Sequence, residues 1–450
     1  MDDFFMVSII DDAKVDANSI HISNDLANRL GLVENQVINV CIGQTQRSFS
    51  VRIRKSSKIA DGISLSPLNL KKLYLKSGKK YGFRYAEDEI RIGPVVGIMV
   101  DVFKEPQKPF GGQTHFVKQL LTSGNSLGQI CFAFSPYSID LTRGIIRGYT
   151  YGGKGWVKGA FPIPDVIYPR ERAYSRAKLQ IRKRLESMGV TLLNPSLVGK
   201  WETHKILMKN RHLKNYLPET RLVKSFSEIE QMLKLYNAVY LKPVAGSQGR
   251  NIIKVVKRKP SGMYEYRYMV EERMVKGSVS NMINLQKSLK TIMRNRSYIV
   301  QKQINLLKCE GNIIDVRVLV QKDHTGEWDV TGVACRVGTN GSITSNISSG
   351  GSGRKIEEIL RRNFSAEEDR EKIRQDIYFI SIETTKTLEK TIGQCGEMGV
   401  DLGIDTDGKV WFIEANIRPA RHVFNLIGET ETRLRSVERP MLYARYLAGF

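Results

Sequence analysis

The spacing of apolar and polar positions changes twice along the chain, and the changes predict three regions. Up to about residue 92 the two kinds alternate in short runs such as VINVCIG and SFSVRIRK, broken by Gly, Asn and Ser. Strict alternation between turn residues predicts short, half-buried strands and so a small β-rich domain. One interruption, HISNDLANRLGL, predicts a short helix with Ser23 or Asn24 as its N-cap. From residue 93 the pattern turns to strand, helix, strand: RIGPVVGIMVD, FGGQTHFVKQLLTSGN, QICFAFSP and PDVIYPRE. This alternation predicts an α/β layer over residues 93–198, with the glycine-crowded RGIIRGYTYGGKGWVKG as a hairpin or mobile loop.

A third pattern starts at about residue 199. A basic helical stretch, GKWETHKILMKNRHLKNY, stops at Leu217-Pro218, and strands then dominate: AVYLKPV, NIIKVVKR, YEYRYMVEE, YIVQKQI, IDVRVLVQ and WDVTGVACRV. The Gly/Ser loop TNGSITSNISSGGSG precedes a long charged helix over about residues 365–393, and a hairpin follows. Mixed strands and helices make this an α+β region.

Composition narrows the class. At 450 residues, 41% apolar and 26% charged, the chain is expected to be globular, with roughly two to four domains. No apolar run approaches the roughly 20 residues that a membrane span needs. The start, MDDFFMVSIIDD, has acids where a signal peptide carries bases, so a cytoplasmic location is expected. The five cysteines are scattered and form no CxxC pair, and no histidines show HExxH spacing. Reduced thiols are expected, and a structural zinc site is not.

Charge is the strongest compositional feature. The 70 Lys and Arg against 46 Asp and Glu give a formal charge of +24. Residues 169–216 alone hold twelve Lys/Arg and three Glu. Such a field attracts polyanions. The chain shows no aromatic-rich RNA-binding motif and no basic recognition helix, so an acidic peptide is favoured over nucleic acid as the partner.

Two stretches carry candidate chemistry. In YLKPVAGSQGRNI, Lys242 precedes Gly246 and Gly249, whereas in the familiar P-loop the lysine follows the glycines. In GVDLGIDTDGKVWFIEAN, two strands flank Asp407-Gly408, a dipeptide suited to a tight turn. A two-residue loop sets Asp401 opposite Glu414. A four-residue loop sets it opposite Phe412 with Glu414 still on the same face, and Asn416 follows two residues on. Two carboxylates and an amide on one face suit Mg²⁺, which takes few protein oxygens and keeps waters and phosphates.

The order KP…GSxG, DVRVLV, ACRVG…SNISSGG and GVDLGID…GKVWFIEAN resembles the ATP-grasp superfamily. In style it is similar to glutamate-adding ligases that modify a ribosomal protein and to the YheC/YheD-like endospore coat-associated proteins. The second group is also similar upstream, through FGGQT, FSPYSID, GYTYGGKGWVKG and PDVIYPR, so the resemblance covers roughly residues 93–450. It implies an ATP-grasp fold, two α+β lobes clasping ATP, over residues 199–450, with a small lobe to about 300 and a large lobe beyond. A pre-ATP-grasp α/β domain (93–198) and the N-terminal β-rich domain (1–92) would precede it.

The resemblance also implies roles. Lys200, with Lys205 as rival, and Lys242 would hold ATP phosphates, and Gly246, Ser247, Gln248 and Gly249 would close over them. Gln301, Lys302 and Gln303 would pair with adenine through backbone atoms, although relatives often carry glutamate where Gln301 stands. Asp315 would lie near the ribose. Arg336 would stabilise an acyl phosphate and the tetrahedral state. Asp401, Glu414 and Asn416 would bind Mg²⁺, and Arg317, Asn346, Gly350, Gly351 and Arg418, with Arg421, would meet the acceptor. The expected activity is ATP-dependent joining of a carboxylate to an amine through an acyl phosphate, adding an amino acid to an acidic peptide or protein, with spore-coat proteins among the partners. The competing expectations are phosphoryl transfer at the same site, and a retired scaffold that binds polyanions or serves the spore structurally.

Overall fold

The computed structural model describes residues 5–54, 61–171, 175–194, 199–246, 251–270, 273–339 and 351–450. The chain forms two compact units. One comprises Met1–Asn194, Lys322–Glu327 and Val437–Phe450, and the other Pro195–Gln321 and Trp328–Ser436. The segment Val437–Phe450 thus belongs to the first unit, although the sequence reading grouped it with residues 199–436.

In the first unit, seven strands close into a barrel in the order Phe5–Asp11, Gly62–Leu65, Ser19–Ser23, Thr45–Arg54, Val37–Ile42, Glu89–Gly93 and Lys80–Ala86. Alternation explains it: Val7, Ile9, Ile38, Val40, Phe49 and Val51 all point to one core. Helix Asn24–Leu30, with Ser23 at its N-cap, ends at Gly31, whose φ of 66° suits glycine. A six-stranded sheet follows, ordered Trp156–Pro162, Ile145–Tyr151, Ile130–Asp140, Val95–Met99, Val166–Pro169, Thr191–Leu192. Its middle pairs are parallel, and every residue of Val95–Met99 is buried. The glycine-crowded stretch forms an antiparallel hairpin in full register from Ile145↔Pro162 to Tyr151↔Trp156. Helix Thr114–Ser126 buries Val117, Leu120 and Leu121 in a core shared with Val437, Met441 and Tyr443.

The second unit holds two sheets. The smaller is antiparallel, ordered Thr220–Leu222, Tyr298–Lys302, Ala238–Pro243, Ile253–Lys257, Tyr264–Val270, Arg273–Val279. Helices Phe226–Tyr236 and Met282–Met293 supply Ile229, Met232, Leu233, Leu285 and Leu289 to its core. The first of these helices starts with a capping box, Ser225 and Glu228, and stops at Asn237 with φ 56°. The other sheet, larger through its longer strands, runs Ser352–Arg354, Trp328–Val337, Asn312–Lys322, Glu397–Ile404, Val410–Asn416, with Lys308–Cys309 paired to Asn312–Lys322 off this path. Helix Glu367–Ile392 packs on it through Ile373, Ile377, Ile380 and Leu388. The two central strands are buried almost throughout. Yet they carry Asp315, Arg317, Gln321, Glu397 and Asp401, and buried polar groups need partners. Among the described residues no helix is long and apolar enough to cross a membrane.

Candidate active site

The hairpin Glu397–Ile404 and Val410–Asn416 turns through residues 405–409, longer than either loop considered from sequence. Asp405 organises the turn: its Oδ1 accepts from the amides of Asp407 and Lys409, and Gly408 sits at φ 81°. Ile404 pairs with Val410 and Leu402 with Phe412. Continued unbroken, that register would put Glu414 on the face opposite Asp401. A bulge between Leu402 and Asp401 shifts it by one residue. Asp401 then lies opposite Glu414, and Gly399 opposite Asn416, so the three expected ligand residues share a face.

Asp401 is not an open ligand. Arg317, its register partner on the next strand, donates from Nε and Nη2 to the two carboxylate oxygens at 2.5 and 3.1 Å. Arg336 Nη2 lies 2.9 Å from Asp401 Oδ2. The same guanidinium donates from Nε and Nη2 to Asp315 at 2.6 and 2.5 Å. Asp315, Arg336, Asp401 and Arg317 therefore form a buried chain of alternating charge with no net charge. Burial opposes ionisation of Asp401, but Arg317 and Arg336 outweigh it and hold the carboxyl below its ordinary range. Burial likewise opposes the Arg336 cation, and Asp401 and Asp315 overcome this and raise its pKa.

Two of the expected ligand residues are engaged within this chain. Asp315, expected beside a ribose, is 5% exposed and commits both oxygens to Arg336. Asp401, expected on a metal, is a counter-ion for two arginines as the side chains stand. Arg336 itself is fixed on one edge, while its Nη1 donates no hydrogen bond among the described residues.

A second cluster joins the two sheets at Glu414. Helix Lys200–Met208 begins at Gly199, where a Cβ would sit 3.3 Å from Val244 O, and the Lys200 amide donates to that carbonyl at 3.1 Å. This ties the helix start to the end of the Lys242 strand. Lys200 Nζ then reaches Gly246 O at 2.9 Å and Glu414 Oε1 at 3.2 Å. Strand Ala238–Pro243 alternates, with Val239, Leu241 and Pro243 buried and Tyr240 and Lys242 on the other face. Lys242 Nζ donates to Gln301 Oε1 at 2.6 Å, and Gln301 Nε2 donates to Thr220 Oγ1 at 2.9 Å. Desolvation lowers the Lys242 pKa to about 8; Glu414 pulls it up, and Lys200 pushes it down.

Gln301 is thus a positioning residue for Lys242. The amides of Lys302 and Gln303 are committed to Glu219 O and Ala238 O, so a base could not pair through those two N–H groups while the strand stays intact. Gln303 Oε1, however, is buried without a hydrogen bond among the described residues, an acceptor suited to an exocyclic amine. Lys302 Nζ lies 5.0 Å from the Tyr236 ring and 5.8 Å from that of Trp411.

Other expectations separate cleanly. Lys205 is exposed and pairs with Glu202 one turn away, which leaves Lys200 as the lysine of this cluster. Arg421 is 5% exposed and paired with the fully buried Glu397, while its Nε donates to Ser436 O. As the side chains stand it is part of a core ion pair. Arg418 is half-buried, and Gly351 precedes strand Ser352–Arg354, whose Gly353 lies opposite Arg336. Ser247, Gln248, Gly249, Asn346 and Gly350 lie outside the described residues.

As a metal site, the face fits in part. Glu414 and Asn416 are half-buried, and only one Glu414 oxygen is engaged, by a lysine. Among the described residues no three His, Cys, Asp or Glu side chains cluster as metal ligands.

Comparison with known proteins identifies relatives of the chain. The model of the YheC/D-like ATP-grasp family matches residues 189–447. The endospore coat-associated protein YheD of Bacillus subtilis is 27% identical over 80% of this chain and 80% of its own length. YheC of the same organism is 26% identical over 64% of this chain and 80% of its length. Among solved structures, the VanG D-Ala:D-Ser ligase of Enterococcus faecalis aligns with a TM-score of 0.45 at 14% identity, covering 79% of this chain and 99% of that one. With its two-sheet second unit, its Lys200–Lys242–Glu414 cluster and a family match over more than half its length, the chain belongs to the YheC/D-like ATP-grasp family.

Proposed function

We propose that the chain is an ATP-dependent carboxylate–amine ligase. The observation that carries this reading is Lys200 Nζ bridging Gly246 O, past the end of the Lys242 strand, and Glu414 Oε1 beside Asn416, with Lys242 near enough to feel both charges. Two lysines this close repel each other, and one carboxylate does not neutralise both. A triphosphate supplies the missing negative charge. When bound, Mg²⁺ would neutralise phosphate oxygens, with Glu414 and Asn416 as the residues to hold it. Gln303 Oε1 would accept from the base.

In this mechanism a substrate carboxylate oxygen attacks the γ-phosphorus and ADP leaves. An amine then attacks the acyl carbon, phosphate departs, and the amine loses a proton. Lys242, held by Gln301, offsets phosphate charge and orients the chain of oxygens. Arg336, clamped by Asp315 and Asp401, directs Nη1 at charge that develops on the acyl phosphate and the tetrahedral carbon. Such a preorganised donor is worth on the order of 3 kcal/mol. Arg317 and Asp401 hold Arg336 in place through their shared ion pairs.

The acceptor in this proposal is an acidic peptide or protein tail, in keeping with the net charge of +24. The names of YheD and YheC suggest a spore-coat setting for it. The proposal keeps domain limits near residues 92 and 198. Its test is ADP release with Mg-ATP across panels of amino acids and acidic peptides, with mass spectrometry of the products. Amine-dependent ADP release and a product of acid plus amine less water support it. A stable phosphorylated product assigns phosphoryl transfer, and nucleotide binding without turnover assigns a retired scaffold.

A further inference from the structure

The smaller sheet of the second unit has one face against helices and one face that carries charge. The stretch YEYRYMV shows the division. Tyr264, Tyr266 and Tyr268 pack with the core, while Glu265, Arg267 and Met269 alternate to the other face. Opposite Tyr266 stands Gly277, where a Cβ would lie 2.2 Å from the ring, so glycine there makes room for the tyrosine.

The register joins residues of the charged face into one rung across all six strands. Thr220 pairs with Gln301, Gln301 with Tyr240, Tyr240 with Lys254, Lys254 with Arg267, and Arg267 with Lys276. The rung starts at Thr220 and Gln301, whose amide holds Lys242, and ends in three adjacent cations about 4.8 Å apart in the strand-to-strand direction. Lys308 lies close enough to act on Lys254, and Arg258 adds to the field. Among the described residues of these strands the acid on this face is Glu265, which pairs with Arg258 at 2.7 Å and reaches Arg267 only at 3.7 Å. Lys254 and Lys276 have no carboxylate partner among the described residues. Like charges directly opposite on neighbouring strands oppose folding. Burial and the nearby cations Arg267, Lys308 and Arg258 all depress the Lys254 pKa. Lys254 Nζ lies 5.7 Å from the Tyr240 ring, while the inner tyrosines and the two helices supply the packing that holds the sheet.

We propose that the Lys254–Arg267–Lys276 rung is the docking strip for the acidic acceptor, an extended carboxylate-rich polypeptide whose reacting end lies toward Lys242. This deepens the ligase reading and rests on it for the identity of the acceptor. Charge complementarity is the argument for this occupant. Regularly spaced cations match carboxylates repeated along an extended chain, and the rung is continuous with the lysine that would meet the triphosphate. Among the described residues Tyr240 is the tyrosine on this face and the others point inward, so the face favours charge pairing over the repeated aromatic stacking that nucleic acid uses.

The test is fluorescence anisotropy of a labelled oligoglutamate peptide with the full chain, at low and high salt. Affinity is expected to fall with salt, and Lys254→Gln/Arg267→Gln/Lys276→Gln is expected to weaken it by about tenfold or more. Lys276→Glu alone, at an exposed position, is expected to weaken it in the same direction and guards against misfolding of the triple variant. Unchanged peptide affinity in both variants overturns the strip. Tighter binding of an oligothymidylate of equal charge, lost in the same variants, also overturns it and assigns nucleic acid. The ligase reading is separable. If wild type shows amine-dependent ADP release while the variants bind peptide normally, the strip fails and the ligase stands. If the variants lose peptide and no amine stimulates ADP release, the strip stands and the ligase fails.

Discussion

The two sheets of the second unit treat charge in opposite ways. The larger one buries Asp315, Arg317, Arg336 and Asp401 at its centre and balances them against one another. The smaller one lines up Lys254, Arg267 and Lys276 on its open face with Glu265 as their nearby acid. Charges that neutralise each other in the interior make a rigid, preorganised support. Charges left unbalanced at the surface are solvated, and the proposed acceptor would pair with them. Lys200, Lys242 and Glu414 stand between these extremes, partly buried and short of one negative charge.

The comparison breaks most visibly at the larger sheet. Arg336→Met leaves Asp315 and Asp401 with a lost partner in a buried setting, and unfolding in urea should show a loss of about 3–5 kcal/mol. Turnover should vanish as well. Asp315→Asn is expected to destabilise in the same direction, because it releases the same guanidinium.

At the intermediate cluster the balance reverses. Lys200→Ala, Lys242→Met and Glu414→Gln should each weaken Mg-ATP binding by about tenfold or more in calorimetry, while unfolding midpoints move much less than for Arg336→Met. Lys205→Ala is the control, and it should leave Mg-ATP affinity at the wild-type value.

The lowered pKa of Lys242 sharpens the distinction through pH. Above about pH 8 the free protein holds Lys242 largely neutral. Phosphates raise its pKa, so Mg-ATP binding there should take up protons, seen as a dependence of the binding enthalpy on buffer ionisation. At pH 6.5 uptake at this site should disappear, and Lys242→Arg should abolish it. The sign for stability is fixed by the same shift: between about 8 and 10.5 the unfolded chain holds more protons, so this group makes stability rise with pH across that window.

Much of this architecture was legible in the pattern of residues. Alternation announced the barrel strands, and strand–helix–strand order announced the parallel layer. The long helix, Glu367–Ile392, fell close to its expected limits. The convergence of Asp401, Glu414 and Asn416 was legible too, but by a route the sequence does not display. The turn is longer than Asp407-Gly408 suggests, and a bulge restores the pairing. Bulges arise from local backbone geometry that no single residue type announces.

The ion pairs that engage Asp315, Asp401 and Arg421 were not legible for one reason. An acid or an arginine in an apolar strand reads alike whether it faces a ligand or a partner from another strand, because the partners, Arg336, Arg317 and Glu397, are distant in sequence. The cation rung had a signal, the alternating YEYRYMV beside NIIKVVKR and ERMVKGSV. Only the register shows that Lys254, Arg267 and Lys276 stand abreast.

The most direct test of the central claim follows oxygen. An acidic peptide labelled with ¹⁸O in its carboxylates is incubated with the chain, Mg-ATP and the amine that stimulates ADP release, and the released phosphate is analysed by mass spectrometry. A carboxylate activated as an acyl phosphate hands one labelled oxygen to phosphate as the amide forms. The account predicts one ¹⁸O per phosphate, in step with the amide. Unlabelled phosphate, or label retained in a stable phosphorylated peptide, would contradict it.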